Sequence, residues 1–398
     1  MLSEEEALAT IVAAVGPLPS AKVSLGKALG HFSASDLAAT VPLPSFDNSA
    51  MDGYAVISHD AKKGARLKIA GEQPAGASRN LRVRSGEAIR IFTGAQIPAG
   101  ADAVVMQEEA ERDGDMVLIK AEKTVAGEFV RKAGGDLAIG QHILKRGQQL
   151  TPARIALLAS QGLESIGVHE KPRVALITTG DELVRPGTQL QPGEIFESNG
   201  TMLSALVEQA GARMAVHSHC PDNFEELCRT LESAAEYDAV IISGGVSVGE
   251  RDLVQEALRK IGAQIDLWRV AVKPGKPFLF GMRERCAIFG LPGNPVSSFV
   301  TFLIFVRPAL LRMMGATELT MASAIARLTH DIAGDERRPH YLRGKLIASQ
   351  FSPVGAQESH ALFGLAQSNA LLRVNPGQKL AAGAEVEVLL INQLAATG

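Results

Sequence analysis

Cysteine is scarce. The three residues present, Cys220, Cys228 and Cys286, are spaced for neither a zinc site nor a disulfide framework. Basic runs are missing too. Forty Lys and Arg against 43 Asp and Glu leave a formal charge of -3, so nucleic acid is not expected as the main partner. No apolar stretch reaches the roughly 20 residues that cross a bilayer. The longest, VSSFVTFLIFV (Val296 to Val306), reads as broken by Arg307 and Pro308. The N-terminus, MLSEEEALATIVAAV, carries acid where a secretory leader carries Lys or Arg. Ser3 followed by Glu6 reads there as a helix capping box. A cytoplasmic protein without a membrane association is expected. There is no Walker sequence and no GxGxxG fingerprint, which disfavours ordinary ATPases and dehydrogenases. Internal repeats and low-complexity tracts are likewise absent.

What is present is 398 residues of ordinary globular composition, 46% hydrophobic and 21% charged, with 39 Gly and 19 Pro. That length exceeds one core and predicts two to four domains. A first helix from about Glu4 to Val15 ends at Gly16-Pro17, and a second helical stretch includes Leu25 to Leu29. Short β-like runs with Gly and Pro turns follow, among them AIRIF, AVVM and MVLI, the signature of a small all-β unit. Helix returns at Thr151-Pro152 and closes at Gly162. From Arg173 to about Gly315 strands and helices alternate, which predicts a three-layer αβα domain with a largely parallel sheet. Beyond Gly315 the runs TMASAIARL, HYLRGKLI, ALLRV and AEVEVLLI predict a small β-barrel or sandwich. The fold class expected is α/β plus β. The divisions are a helical linking domain at 1–44 and 145–170, an inserted β-rich domain at 45–144, the αβα domain at 171–315 and the barrel at 316–398.

In an open α/β sheet, ligands bind where strands end and loops lead into helices. Three such junctions are chemically loaded. TTGDEL places Asp181 and Glu182 at a strand end. SGGVSVGERD (Ser243 to Asp252) follows the strand DAVIIS; its glycines, Gly244 and Gly245 first, let backbone N–H groups approach a phosphate, and Ser247 adds a hydroxyl. LPGNPVSS (Leu291 to Ser298) lets Asn294 cap and Pro295 open a helix. One such loop is ordinarily only a tight turn; three on one sheet edge favour a phosphate or nucleotide site. KPGKP holds Lys273 and Lys276 three residues apart on a loop that Pro and Gly keep out of helix, an arrangement suited to an oxyanion or equally to a solvated turn. Strict alternation sets Arg269 on the same strand face as Lys273. Asp252 and Asp222 approach the edge that carries Glu182. Such acids repel unless a cation intervenes, and Mg²⁺ held by carboxylates and substrate phosphates answers that. For Asp222 in CPDN, helix capping is the stronger reading. In the β unit, SFDNSAMDGYAV (Ser45 to Val56) contains Asp47 and Asp52 in a stretch too polar for a core strand. IFTGAQIPAGAD offers Thr93 at a strand end, and AGGD offers Asp136; by physics alone these are turn residues.

Taken together, SFDNSAMDGYAV, IFTGAQIPAGAD, TTGDEL, SGGVSVGERD, KPGKP and LPGNPVSS resemble, in order and over nearly the whole chain, the molybdopterin molybdenumtransferase family, whose animal member is the catalytic part of gephyrin. The resemblance implies an elongated, four-domain subunit that pairs into a homodimer. It also implies an αβα domain similar to that of the adenylyltransferase that supplies the substrate. The implied reaction inserts molybdate into adenylylated molybdopterin, releases AMP and uses Mg²⁺. Asp252 matches the acid tied to cleavage of the adenylylated substrate. Glu182, Asp52, Asp136, Thr93 and Asp222 match polar positions around the cleft, with Glu182, Asp222 and Asp252 as the metal-binding set. Lys273, Lys276, Ser247 and Ser297 match molybdate or phosphate positions, Arg269 a basic one, and Gly244, Gly245, Pro292, Asn294 and Pro295 belong to the implied substrate-binding loops. Arg343 in HYLRG and Ser359 in QESH match further oxyanion contacts. Transient contact with the adenylyltransferase and with recipient molybdoenzymes is implied as well.

Two other readings are weighed. An adenylyltransferase or nucleotide hydrolase on the same αβα domain has no need of Ser45 to Asp136. A scaffold protein of the gephyrin kind carries an added adenylyltransferase domain and a long linker, which this chain lacks.

Overall fold

A computed structural model describes residues 1–76, 79–245 and 253–391. They form two compact units. The first takes Met1–Asp36, Lys145–Ala156 and the chain from Leu163 onward; the second takes Leu37–Leu144 and Leu157–Gly162.

The first unit is organised by a six-stranded sheet. Its order is Arg213–Cys220, Arg173–Thr179, Ala239–Ser243, Cys286–Leu291, Leu279–Arg283 and Gln264–Trp268. The first four are mutually parallel; Leu279–Arg283 runs against them, and Gln264–Trp268, antiparallel to it, returns to their direction. The reversal has a local cause: two residues, Glu284 and Arg285, separate Arg283 from Cys286, and a parallel crossover needs a dozen or more. Along Arg173–Thr179, Val174 and Leu176 join one apolar cluster while Ala175 and Ile177 join the other, so both faces are covered. One face packs under the helix Asn199–Gln209, the helical run from Pro295 and the N-terminal helix Glu4–Ala14. The other packs under Phe224–Ala234 and Leu253–Lys260.

The expected capping box is formed: Ser3 Oγ accepts from Glu6 N–H at 3.1 Å and Glu6 Oε2 from Ser3 N–H at 2.8 Å. Glu4, in the first turn, receives Arg373 Nε at 3.1 Å and the Tyr341 hydroxyl, both from the C-terminal barrel.

Arg307 and Pro308 do not end their helix. The chain is helical from Pro295 through Met313, with a π-helical segment, Phe302–Val306, ahead of the proline. A π-turn widens the hydrogen-bond spacing where Pro308 has no N–H to give. Arg307 is fully buried and donates to the Leu319 carbonyl at 2.9 Å. This 19-residue run is long and apolar enough to cross a membrane, yet 94% of its most apolar window is buried within the protein.

Past this helix, Ser323–Leu328, Gln350–Pro353, His340–Ile347, Ala370–Val374 and Glu385–Leu390 close a five-stranded barrel around Leu328, Phe351, Leu372 and Val388. The fold class is thus α/β plus β, with a three-layer αβα layout and a closed barrel.

The second unit is built on a mixed six-stranded sheet, ordered Ala103–Met106, Gly53–Val56, Glu87–Ile91, Arg66–Gln73, Met116–Ile119 and Ala110–Asp113. Here one expectation is overturned. The end of SFDNSAMDGYAV is a core strand, Gly53–Val56, buried at every position between two neighbours; the polarity of the motif lies upstream of it. Gly53 is required by close approach, since a Cβ there would lie 1.9 Å from the Val105 carbonyl oxygen. Gly53→Ala is expected to cost about 3 kcal/mol through overpacking and to lower the melting temperature. An unchanged thermal scan would contradict this account of the motif's glycine.

Candidate functional site

Three parallel strands of the first unit end side by side at Thr179, Ser243 and Leu291. A cavity of about 490 Å³ opens over these ends, within the range of small-molecule sites. Thr178–Gly180, Glu182, Ser243–Gly245, Asp222 and Pro292–Pro295 line it, so all three loaded junctions meet there. A larger groove, about 710 Å³, runs past Glu4, Ile304 and Arg373, but none of the sequence-predicted site residues lines it. The chemistry, not the size, selects the strand-end cavity.

Glycine is needed where the second junction crosses the first. Gly244 and Gly245 have φ of 97° and 66°. A Cβ on Gly244 would lie 2.5 Å from the Thr179 carbonyl oxygen, and one on Gly245 2.8 Å from Thr179 Oγ1. Glu182 folds back over Gly180, its Oε2 2.7 Å from where a Cβ would stand. Ser247 and Asp252 lie outside the described residues.

The acids do gather. Asp222 N–H donates to Asp181 Oδ1 at 3.0 Å. Partial burial, then the charges of Asp181 and Glu182, push the Asp222 carboxyl above its usual range. The capping role expected of Asp222 belongs to its neighbour: Asn223 Oδ1 accepts from Glu226 N–H at 3.0 Å. Among the described residues, no group of three His, Cys, Asp or Glu side chains is gathered closely enough to hold a metal ion.

Two residues that sequence reasoning missed line the same cavity. Asn199 Nδ2 donates to Ser243 Oγ at 3.1 Å and to the Gly293 carbonyl at 2.6 Å, joining the second and third junctions. Glu197 is buried and accepts from Gly200 N–H at 2.6 Å. The available signal was ESNG, cap-type residues just ahead of a helix that begins at Asn199.

The basic loop is held from both sides. Gly275, at φ 128°, packs on the helix that carries Ser297; a Cβ would lie 2.6 Å from Thr301 Cγ2. Ser297 is buried in that helix's first turn. Lys273 pairs with Asp335 at 3.2 Å. Lys276 is exposed, and the next residue, Pro277, lines the cavity. The alternation expected to set Arg269 beside Lys273 does not hold. The strand stops at Trp268, and Arg269 takes a left-handed φ of 74° with its N–H bonded to the Phe278 carbonyl. Asn294 holds the N-cap position without capping through its side chain; Nδ2 donates instead to Ser359 Oγ at 2.8 Å. Ser359 is thereby brought to the third junction. Arg343 is fully buried, and its guanidinium is engaged by the carbonyls of Ala356 and Glu358. Its side chain therefore braces the loop that presents Ser359 through the two terminal nitrogens, while Nε has no hydrogen-bond partner among the described residues.

In the second unit, Asp52 Oδ1 accepts from Thr93 N–H at 2.7 Å and from its hydroxyl at 2.8 Å, and these bonds hold the carboxyl below its usual range. Asp136 is exposed, its N–H bonded to the Leu43 carbonyl. Asp47 is a turn residue, accepting from Lys132 and from Ala133 N–H, each at 2.8 Å.

The Asp222 shift has a sign that can be tested. A carboxyl raised by burial and neighbouring acids is a liability when ionised, so the cost is absent at low pH and grows as pH rises through its pKa. Asp222→Asn is expected to raise the melting temperature at pH 7, and the gain should fade on acidification. A gain of constant size from pH 7 down to pH 4 would refute this.

Comparison with known proteins places the chain as follows. Residues 2–162 match the model "MoeA N-terminal region (domain I and II)", 175–312 match "Probable molybdopterin binding domain", and 325–391 match "MoeA C-terminal region (domain IV)". A molybdopterin molybdenumtransferase of Haemophilus influenzae is 35% identical over 392 residues, covering 95% of each chain. One of Nostoc is 37% identical over 383 residues, 92% of this chain and 88% of that protein. The crystal structure of a molybdopterin biosynthesis moeA protein from Pyrococcus horikoshii superposes with a TM-score of 0.86 at 30% identity, over 98% of this chain and all (100%) of that one.

Proposed function

The chain belongs to the molybdopterin molybdenumtransferase family, and from that premise we propose that it inserts molybdate into adenylylated molybdopterin with release of AMP. It is a transferase of molybdenum cofactor biosynthesis. The observation that carries the fuller reading is the strand-end cavity, where close-packed glycines and clustered acids line one space.

The residues divide the work by charge. Backbone N–H groups around Gly244 and Gly245 suit the phosphates. Lys273 and Lys276, and Ser359 held at Asn294 on its braced loop, suit a tetrahedral dianion. Holding molybdate beside the dithiolene sulfurs makes the encounter of two dilute species local. Burial, then the charges of Asp181 and Glu182, raise the Asp222 carboxyl, and a cation would relieve the repulsive part; the described acids do not by themselves form a metal-holding group, so the set depends on Asp252. Glu182, Asp222 and Asp252 would hold Mg²⁺, which when bound neutralises phosphate charge and polarises an attacking oxygen. Asp252 is assigned to cleavage of the phosphoanhydride, in which the oxygen of a water bonds to phosphorus as the anhydride bond breaks, leaving AMP and the molybdopterin phosphate. Asp52, Thr93 and Asp136 are assigned supporting polar roles. A cytoplasmic homodimer that meets the adenylyltransferase and recipient molybdoenzymes completes the reading.

Incubation with adenylylated molybdopterin, Mg²⁺ and molybdate should give both AMP and active cofactor; transfer of AMP to another acceptor would point instead to an adenylyltransferase. Glu182→Gln and Asp252→Ala should bind the adenylylated substrate yet slow AMP release on the order of a hundredfold, and wild-type turnover in both would end the assignment. Lys276→Ala should raise the molybdate concentration for half-maximal cofactor formation about tenfold, with AMP release little changed at saturating molybdate. Full activity at limiting molybdate would count against it.

A further inference from the structure

The basic loop and the turn that follows the first barrel strand are clasped together. Lys273 N–H donates to the Pro339 carbonyl at 2.9 Å, and Tyr341 N–H to the Lys273 carbonyl at 2.8 Å. Between them lies Asp335, whose two carboxylate oxygens do different things. Oδ1 accepts the N–H groups of Arg337 and Arg338, at 3.0 and 3.1 Å, and so holds the turn. Oδ2 faces cations, Lys273 Nζ at 3.2 Å and Arg338 Nη2 at 3.6 Å. His340 closes the cluster: it is 7% exposed, and neither ring nitrogen has a hydrogen-bond partner. Burial and the Lys273 charge push its pKa down to about 4, so it adds no charge at neutral pH. Two cations therefore share one carboxylate, and the Lys273 side chain remains 40% exposed to an arriving solute.

We propose that Asp335 is an internal competitor for the oxyanion, its Oδ2 occupying Lys273 and Arg338 until a tetrahedral dianion displaces it. The inference rests on the assignment of Lys273 to the molybdate site. Its chemical consequence is selectivity by charge. A monoanion that displaces Asp335 exchanges one negative charge for one and gains little, whereas a dianion gains a full charge against the same two cations. Asp335 thus sets the affinity of the site and screens out abundant monoanions.

Asp335 could alternatively organise Lys273 for binding, and the two roles predict opposite signs. In Asp335→Asn, the amide oxygen can replace Oδ1 and keep the turn, while Oδ2 and its charge are lost. Calorimetric titration of the full-length protein with molybdate should give binding roughly fivefold tighter than wild type. Perrhenate, a tetrahedral monoanion, should become a measurable ligand. Asp335→Ser, which also offers a short turn acceptor, should behave alike and covers a folding failure of the first variant. The gain should vanish in a Lys273→Ala background. Unchanged or weaker molybdate binding in Asp335→Asn and Asp335→Ser, with Lys273→Ala still weakening it, would overturn the competitor role alone. Molybdate binding indifferent to Lys273→Ala would remove the oxyanion assignment and this inference with it.

Discussion

The central strands of the first unit have no solvent face, and its chemistry follows from that constraint. Residues alternate along Arg173–Thr179 between two separate apolar clusters, each roofed by helices. A polar side chain on such a strand can be accommodated only at an end. Thr178, Thr179 and Ser243 stand there, buried but adjacent to the cavity. Ser243 Oγ is satisfied by Asn199, and the Thr178 hydroxyl is 3.4 Å from His219 Nδ1. Two-sided burial therefore confines polarity to one edge, and parallel pairing puts three such ends on the same edge.

Two aspartates show how the same side chain is tuned in opposite directions. Asp335 receives two backbone N–H groups and two cations, and its pKa falls to about 2, the Arg337 N–H contributing most. Asp222 is partly buried beside two further acids, and its carboxyl is pushed up. The protein answers the first charge with its own groups. The second stays beside like charges at the edge of the cavity.

The fold was legible wherever burial writes itself into short-range pattern. Buried strands such as DAVIIS and CAIFGL are continuous apolar runs, and the amphipathic helices between them carry their own period. Four of the five barrel strands were nearly as plain; Gln350–Pro353 was not read. Legibility failed where a remote contact overrides the local preference. Arg269 leaves the strand through a left-handed φ although its N–H still pairs with Phe278, and Pro308 stays in a helix because a π-segment precedes it. GYAV is a core strand because it pairs on both sides with Ala103–Met106 and Glu87–Ile91. In the site, the motif loops were visible as glycine and acid clusters. Asn199 was not, because its partners at Ser243 and Gly293 are 44 and 94 residues away. Nor does anything in HYLRG show that carbonyls at 356 and 358 accept from the Arg343 guanidinium.

The pairing of Glu4 with Arg373 spans 369 positions of sequence. A ribosome delivers the glutamate early and the arginine very late, so this lock cannot close while most of the polypeptide is being made. Residues 37–144, whose sheet draws every strand from that interval, meet no such delay. Biogenesis is accordingly ordered: the interrupting unit can reach its native state during translation, while the N-terminal helix waits, its apolar stripe of Ala7 and Ile11 exposed, for the helical run Phe302–Met313 that packs on it, and only later for the barrel that supplies Arg373. That interval is when a holdase chaperone would have most to protect.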